Sequence, residues 1–445
     1  MKRKLQKFLQ RLRFLQILGL IFALLLCIKL LSACTNQSIV TLSFVVPERE
    51  AQYWKPLIEQ FQQTNNQNIR IDLANFSNNF QQNPNLTNDL KKTYISDFKS
   101  KSASYDLIYM DIIWVPEFAH KEWVMDLTQE FPQEELRGFI RSEVDSGRYE
   151  DKLYRIPFRA DVGVLFYRQD WLNEVKQKRP ETFNDLLRIS QKVKQQLPEK
   201  VQYGYLWQSK PDEGLAAVFV EVLYGYGGFW INNKKVGLNQ PEAIQAVEFL
   251  RDTIKLGISP KDITTYDEQY TRSLFRDRQA VFMRNWPNVW LDVNGSEPSF
   301  RGKIAIKPMV YAEGKRSVAS KGGWGFGIAK NTKHKKEALQ AIKFFTSAAS
   351  QQKFTLAYAS VPSRRNLFFE PKIVAKYSHY PELLKVVENS VARPRIPQYA
   401  QASCILQKYL SEALNPDNNG YKQAMDAAAK ETQNLLDSGK YNCQI

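Results

Sequence analysis

Short apolar runs alternate along the chain with segments of helical periodicity, and this alternation restricts the possible folds most strongly. Residues 41–46 are mostly apolar, residues 69–73 alternate apolar with polar side chains, and residues 105–110 form a third run of this kind. Between the first two runs, residues 54–61 place apolar side chains at the spacing of one helix face. Alternating strands and helices predict an α/β fold.

The chain is also too long for one hydrophobic core. The 412 residues from Cys34 to the C-terminus exceed the size at which a single core stops growing, roughly 250–300 residues. We therefore expect two domains.

The first 34 residues have the order of an export signal. Six basic residues occur before position 14, an apolar run at 14–28 follows, and residues 31–34 are Leu-Ser-Ala-Cys. A basic, then apolar, then small-residue order with a cysteine at the cut point predicts a lipoprotein signal peptide over residues 1–33. Lipidation of Cys34 would then tie the chain to a membrane, because acyl chains bury many methylene groups.

Lys29 leaves a second interpretation of this segment open. A charged residue in the last apolar turn could prevent processing, and residues 14–31 would then stay as an anchor helix of about the minimum length for a membrane span. We favour the lipoprotein because of its small-residue cut site. In both interpretations the rest of the chain lies outside the cytoplasm, attached to a membrane.

The basic charge does not indicate a nucleic-acid partner. The formal net charge is +16, and the seven basic residues of segment 1–33 account for much of it, which leaves +9. The remaining basic residues are scattered along the chain, so we interpret them as a solvated surface.

Cysteine, histidine and glycine patterns exclude several kinds of chemistry. If Cys27 leaves with the signal and Cys34 is lipidated, Cys404 and Cys443 remain, either as a disulfide or as two free thiols. No zinc-ligand spacing is present, so we expect no metal and no cofactor. The chain has no phosphate-binding G-x-x-x-x-G-K-[ST] motif and no G-x-S-x-G motif, so it is neither an ATPase nor a serine hydrolase of that type.

A series of segments resembles the family 1 extracellular solute-binding proteins, which include the maltose- and trehalose-type binding proteins. The most diagnostic segment is residues 154–168, YRIPFRADVGVLFYR. The other matching segments, in the family's order, are 105–111 with Trp114, 123–127, 207–215, 282–287, 322–328, 361–364 and 393–394. Together they extend over nearly the whole chain after the signal.

The resemblance implies a two-lobe, periplasmic-binding-protein-like fold of type II. Each lobe would be a mostly parallel sheet flanked by helices, and three chain crossings would form the hinge. Lobe 1 would contain residues 41–156 and 308–362, and lobe 2 residues 157–307 and 363–445. The crossings would lie near Ile156-Pro157, Lys307-Pro308 and Val361-Pro362.

The resemblance also implies a ligand site in the cleft between the lobes. The expected contacts are Asp111, Trp114, Gly323 and Trp324 from lobe 1 and Asp161, Gln208, Trp286 and Arg393 from lobe 2. These residue types suit a sugar, which needs flat aromatic surfaces for its C–H faces and planar polar groups for its hydroxyls. Glu48 and Glu50 rank lower, since acids at a helix start are common.

The implied function is that of an extracytoplasmic binding lipoprotein, not an enzyme. It would be a monomer that captures a small carbohydrate and delivers it to the permease of an ABC importer with a separate ATPase. Asp212 stands where related proteins usually have a tyrosine, so a glucosyl-polyol fits as well as a disaccharide. The alternatives are an exported glycoside hydrolase with carboxylates such as Asp111 and Asp161, and a surface scaffold.

Overall fold

The structure is a computed structural model that describes residues 39–64, 68–76, 86–295 and 301–439, together with residues 3, 6, 8, 14–19 and 21 near the N-terminus. The predicted lipidation site Cys34, Lys29 and Cys443 lie outside the described residues. Within the described part, no helix has both the length and the hydropathy needed to cross a membrane. Cys404 is disulfide-bonded, and its pairing with Cys443 stays a prediction.

Strands and helices alternate over much of the chain as the sequence pattern predicts, but four strands follow one another in residues 148–168 and six helices in residues 335–438. The strands are β1 Val40–Pro47, β2 Ile69–Phe76, β3 Leu107–Asp111, β4 Arg148–Tyr149, β5 Lys152–Leu153, β6 Ile156–Pro157, β7 Val164–Arg168, β8 Tyr203–Leu206, β9 Ile231–Asn232, β10 Lys235–Val236, β11 Ala280–Asn285, β12 Ile304–Lys307 and β13 Trp324–Ile328. The helices are α1 Glu48–Thr64, α2 Leu86–Ser100, α3 Val115–His120, α4 Gln133–Leu136, α5 Arg141–Asp145, α6 Gln169–Glu174, α7 Phe183–Gln196, α8 Glu213–Gly225, α9 Pro241–Lys255, α10 Glu268–Arg276, α11 Lys335–Phe345, α12 Ala348–Tyr358, α13 Pro371–Lys376, α14 Tyr380–Glu388, α15 Tyr399–Leu414 and α16 Tyr421–Ser438.

The first apolar core, core 1, is formed by buried side chains from residues 42–158 and 324–358. Its sheet has the strand order β3-β13-β6, and β1 pairs in parallel with β2. Trp54 of α1 lies fully buried at its centre, where its ring contacts Phe158 at 4.7 Å and Phe354 at 5.0 Å between centroids. Rings at these separations contribute packing energy beyond the area that they bury.

The second core, core 2, is formed by Ile140 and by buried side chains from residues 160–319 and 359–435. Its sheet has the order β12-β7-β11-β8. Apart from Glu213 and Glu221, helix α8 is largely apolar, and nearly all of it is buried, so it lies inside this core rather than on its surface. The described part of the chain thus has two separate apolar cores, and its division into the predicted lobes stays a prediction.

The direction of the strands corrects one part of the prediction. The sheets are not mostly parallel, because β13 runs antiparallel to β3 and β6, and β7 runs antiparallel to β11 and β12. The reason is the repeated crossing between cores. The chain enters each sheet from the side of the other core. Strands β7 and β13 begin on that side, whereas the strands next to them end there.

The crossing segments lie side by side between the two cores. Arg159 bridges to Pro362, Val162 to Lys321, and Ser320 to Val391. The apolar packing changes from one core to the other between Phe158 and Ala160, between Ala319 and Trp324, and between Tyr358 and Ala359. The lobe boundaries stay a prediction, and this packing favours a second crossing after Ala319 rather than at Lys307-Pro308.

At Gly325, the backbone of β13 packs closely against the neighbouring strand β6. A Cβ atom at this position would lie 2.3 Å from the carbonyl oxygen of Ile156 and 2.8 Å from Nε of Arg155. Because the backbone oxygen cannot move away freely, we expect Gly325→Ala to lower the free energy of unfolding by about 3 kcal/mol. Gly420→Ala is the control, since its nearest neighbours are the ends of the Asn418 and Gln423 side chains. Equal midpoints for wild type and Gly325→Ala in urea unfolding would contradict this prediction.

Candidate binding cleft between the two cores

Buried charged side chains gather where the two cores meet. The members of this group are each at most 8% exposed: Glu50, Asp111, Glu143, Arg155, Arg159, Asp161, Lys321 and Arg393. Buried charges are costly unless they are paired, so a group of them in one place indicates a functional site or a structural ion-pair network. The individual contacts distinguish these two roles.

Arg159 joins two carboxylates from different parts of the chain. Its Nη1 atom lies 3.0 Å from Oε1 of Glu50 on α1, and its Nε atom lies 3.1 Å from Oδ2 of Asp161 in the crossing segment. Burial raises the pKa of Asp161 to about 6, although the charge of Arg159 acts in the opposite direction. Within the described residues, Oδ1 of Asp161 is buried and has no hydrogen-bond partner. This oxygen is therefore available to a ligand.

Arg393 connects the two cores through a second pair of carboxylates. Its Nη1 atom donates to Oε2 of Glu213 at 2.7 Å, and its Nη2 atom lies 4.0 Å from Oδ1 of Asp111. Glu213 begins α8 in core 2, whereas Asp111 ends β3 in core 1. Burial raises the pKa of Asp111, and the charge of Arg393 opposes this rise. The 4.0 Å separation leaves Asp111 only loosely paired.

Trp286 supplies an aromatic surface next to Asp161. The side chain is half-buried, and its Nε1–H donates to Oε1 of Glu268. A Cβ atom at Gly322 would lie 3.2 Å from the edge of the Trp286 ring and 3.5 Å from Cβ of Asp161. The glycine therefore lets the ring and the carboxylate approach each other.

Trp324 and Trp114 are placed differently from Trp286. They are 7% and 1% exposed, and their rings meet edge to face at a centroid distance of 5.2 Å. Both rings belong to core 1, and Trp324 also lies opposite Asp111 in the β3–β13 register, with its ring centroid 5.5 Å from Cζ of Arg159. Trp324 therefore lies next to two of the buried charged residues, and ligand contacts for Trp324 and Trp114 stay predictions.

Gly323 is required by the backbone. Its φ angle is +120°, and a Cβ atom there would lie 2.5 Å from the carbonyl oxygen of Arg159. Its own carbonyl accepts from the N–H of Ile112 at 3.0 Å. The residue fixes the path of the chain between the crossing segment and β13.

Gln208 lies beneath the cleft and has no exposed surface. Its Nε2 atom donates to Oγ1 of Thr271 and to the carbonyl oxygen of Arg284, both at 2.9 Å, and its Oε1 atom accepts from Nη1 of Arg284 at 3.1 Å. Both amide hydrogens are therefore used inside the protein. Direct contact with a ligand stays a prediction that this burial does not favour.

Sequence reasoning did not select Arg159, Glu213, Glu268 or Arg284. Arg159 could have been found, because residues two apart on an extended segment share a face, and Asp161 had been selected. The other three depend on pairings between distant segments. Glu50 had been ranked low and proves to be a partner of Arg159. The Glu48 side chain lies outside the described part of the structure, and no group of three His, Cys, Asp or Glu side chains within that part could hold a metal.

Comparisons with known proteins agree with this architecture. The family model for bacterial extracellular solute-binding proteins matches residues 47–352. A probable ABC transporter-binding protein of Deinococcus radiodurans is 27% identical over 308 residues, which are 68% of this chain and 72% of that protein. A mannitol-binding protein of Pseudomonas aeruginosa is 21% identical over 275 residues, 60% of this chain and 61% of that protein.

Solved structures extend the likeness to the whole fold. The maltose-bound MalE3 of T. maritima has a TM-score of 0.81 and 30% sequence identity, and the match covers 89% of this chain and 100% of that one. A ribitol complex of an ABC transporter solute-binding protein from Agrobacterium radiobacter has a TM-score of 0.77 at 24% identity, over 90% of this chain and 99% of the other. The predicted two-lobe type II fold is thereby confirmed.

The chain thus has two apolar cores with polar and aromatic groups between them. The chain belongs to the bacterial extracellular solute-binding protein family, since the matched residues 47–352 are more than half of its length. This family and the relatives found are substrate-binding proteins of ABC transporters and not enzymes. The alternative prediction of a glycoside hydrolase finds no support among them.

Asp212 provides a test of the electrostatics of the cleft. Its Oδ1 atom accepts from the N–H groups of Gly214 and Leu215 and so caps α8. Burial raises its pKa from 3.8 to about 7, with a further contribution from Glu268. Between these two values the folded protein holds a proton that the unfolded chain has lost, so this group makes stability fall as pH rises from about 4 to about 7.

We expect Asp212→Asn to reduce this fall and to be more stable than the wild type at pH 8 by about 1 kcal/mol or more. Asparagine caps a helix as well as aspartate does, whereas Asp212→Ala loses the cap and should be less stable than Asp212→Asn by about 1 kcal/mol. The measurement is urea unfolding from pH 4 to 8. Identical pH profiles for wild type and Asp212→Asn would show that the raised pKa is absent.

Proposed function

We propose that this protein captures a sugar or polyol in the cleft and delivers it to the permease of an ABC importer. The observation that carries the proposal is that the Trp286 ring and Asp161 both lie against Gly322, and that Oδ1 of Asp161 has no hydrogen-bond partner within the described residues. An aromatic face next to a carboxylate oxygen suits a ligand with C–H faces and hydroxyl donors. The maltose in the 30% identical structure and the mannitol bound by a curated relative support the same class of ligand.

Ligand capture would work by closing the cleft. Asp111 comes from core 1 and Arg393 from the side of core 2, and their 4.0 Å separation leaves room for a hydroxyl to bond to both. Asp161 and Trp286 would contact the same ligand from the crossing segment and from core 2. Ligand contacts that exist only in the closed arrangement shift the equilibrium between the open and closed forms toward the closed form. The closed form is then the form that the permease recognises.

The residue at position 212 bears on the kind of ligand. This carboxylate is buried at the start of α8, near Glu268, where related proteins usually have a tyrosine. An aromatic platform is lost there, and the remaining polar groups suit hydroxyls. A disaccharide or a glucosyl-polyol is therefore proposed as the ligand.

The attachment of the protein is also a proposal. The family is extracellular, so the chain acts outside the cytoplasm. The sequence of residues 1–34 supports a lipid anchor on Cys34, which would keep the monomeric protein close to its permease and the separate ATPase.

A thermal-unfolding assay tests the ligand class. The soluble form, residues 35–445, would be heated with maltose, trehalose, sucrose, glucosylglycerol and mannitol, and glycerol phosphate would serve as a non-sugar. A ligand at 100 times its Kd adds about 2.7 kcal/mol of stability. We expect one carbohydrate to raise the unfolding temperature of the wild type by a few degrees and to have almost no effect on Asp161→Asn or Trp286→Ala.

Trp290→Ala is the matched control for Trp286→Ala. Trp290 is also half-buried on core 2, but its ring packs on His379 at 4.5 Å. Its loss should lower the unfolding temperature without removing the ligand-induced rise. If none of the carbohydrates stabilises the wild type, the sugar proposal fails.

Metabolic labelling tests the anchor. Cells grown with an alkyne-bearing palmitate should incorporate it into the wild-type protein and not into Cys34→Ser, because only a cysteine at the cut point accepts the lipid. The mature protein should also lack residues 1–33. An unlabelled chain that still begins at Met1 in the membrane fraction would instead support the anchor helix over residues 14–31.

A further inference from the structure

An ion pair inside core 2 lies directly beneath Trp286. Arg284 donates from Nε and Nη2 to the two carboxylate oxygens of Glu221, at 2.8 and 2.7 Å, and both side chains are fully buried. The third nitrogen, Nη1, donates to Oε1 of Gln208 at 3.1 Å. All three guanidinium nitrogens of Arg284 therefore have fixed partners, which leaves the plane of this group little freedom.

The guanidinium of Arg284 also contacts the Trp286 ring. Its Cζ atom lies 4.2 Å from the ring centroid, a separation at which a cation is attracted to the face of an indole. The opposite edge of Trp286 is held by the bond from Nε1 to Glu268. The orientation of the ring thus depends on one contact at its face and one at its edge.

The same ion pair reaches the crossing segments. Oε1 of Glu221 accepts from the backbone N–H of Ser320 at 3.2 Å. A Cβ atom at Gly163 would lie 1.7 Å from that oxygen, so only glycine leaves room for the carboxylate. Glu221 therefore contacts two of the segments between the cores while it holds Arg284.

We propose that Arg284, fixed by Glu221 and Gln208, is the positioning residue for Trp286 and sets the plane of the aromatic surface against which the ligand packs. The role of the ring in ligand binding rests on the proposed function. The effect of Arg284 on the ring rests on the described contacts. Arginine is required because its planar fork bonds Glu221 and Gln208 while its face meets the indole. A lysine provides one point charge and no plane.

Three variants separate positioning from stability. Arg284→Lys keeps a charge for Glu221 but removes the planar group. The double variant Glu221→Met with Arg284→Met removes the whole ion pair, and buried pairs replaced by apolar side chains of similar volume often keep or gain stability. Arg251→Lys is the control, because Arg251 is another buried arginine of core 2 whose bonds go to the carbonyl oxygens of Asn415, Pro416 and Asn418.

The first measurement needs no ligand. In the ¹⁵N spectrum of the indole N–H groups, the chain contributes one signal for each of its nine tryptophans, and Trp286→Phe identifies the signal of Trp286. We expect this signal to shift or broaden in Arg284→Lys and in the double variant, and to stay in place in Arg251→Lys. An unchanged Trp286 signal in both Arg284 variants would overturn the proposal.

The second measurement uses maltose as the probe and compares two backgrounds. Arg284→Lys should weaken maltose binding roughly tenfold when Trp286 is present. In the Trp286→Phe background the same substitution should weaken binding less than about twofold, because the arginine acts through the orientation of the indole. The double variant should lose the same affinity when binding is measured below its own unfolding temperature. An equal loss in both backgrounds would show that Arg284 acts on the fold alone and would overturn the proposal.

The two measurements test separate claims, so one claim can fail while the other stands. If the wild type does not bind maltose, the disaccharide part of the proposed function fails, while the indole signal still decides whether Arg284 positions Trp286. If maltose binds and the Trp286 signal does not move, the proposed function stands and the positioning role is excluded.

Discussion

Arg159 lies between Glu50 and Asp161, at 3.0 and 3.1 Å, and the geometry of the cleft depends on these two contacts. An arginine that is only 5% exposed must be balanced by nearby carboxylates, because an unpaired buried charge costs several kcal/mol. Glu50 belongs to α1 of core 1, so the pairing ties the crossing segment to that helix. Tyr109 donates its hydroxyl to the other oxygen of Glu50 at 3.3 Å and continues the network into core 1.

The charged groups of this network are paired, but several of their polar atoms have no hydrogen-bond partner within the described residues. In the described part of the chain, Oδ1 of Asp161, Nε of Arg393 and all three nitrogens of Arg155 are buried without hydrogen-bond partners. A ligand rich in hydroxyls supplies both donors and acceptors, so it can satisfy groups of either charge in the cleft. Under the proposed function, a ligand that supplies these partners would favour the closed form. Arg284 and Glu221 would add a fixed aromatic plane to this polar surface.

The sequence was a good guide to local structure and to the order of the segments. The runs at 41–46 and 69–73 lie within β1 and β2, the run at 105–110 overlaps β3 at Leu107–Asp111, and 54–61 is part of α1. Strand direction in the sheets was not predictable in this way, because the apolar period of a strand is the same for parallel and antiparallel pairing. The site shows the same limit: Asp161, Trp286, Asp111 and Arg393 meet in the cleft, but nothing local to Gln208 or Trp114 distinguishes a buried polar or aromatic residue from one that faces a ligand.

The sequence by itself determined the α/β alternation, the need for two cores and the family resemblance, since these depend on periodicity, length and ordered motifs. Only the tertiary structure decided which charges are partners, because Glu50 reaches Arg159 and Glu213 reaches Arg393 across long stretches of chain. It also decided that Trp286, rather than Trp114, presents its ring beside Asp161. The physical reason is that hydrogen bonds and ion pairs act over a few ångströms in space, while the pattern of a sequence reports only neighbours along the chain.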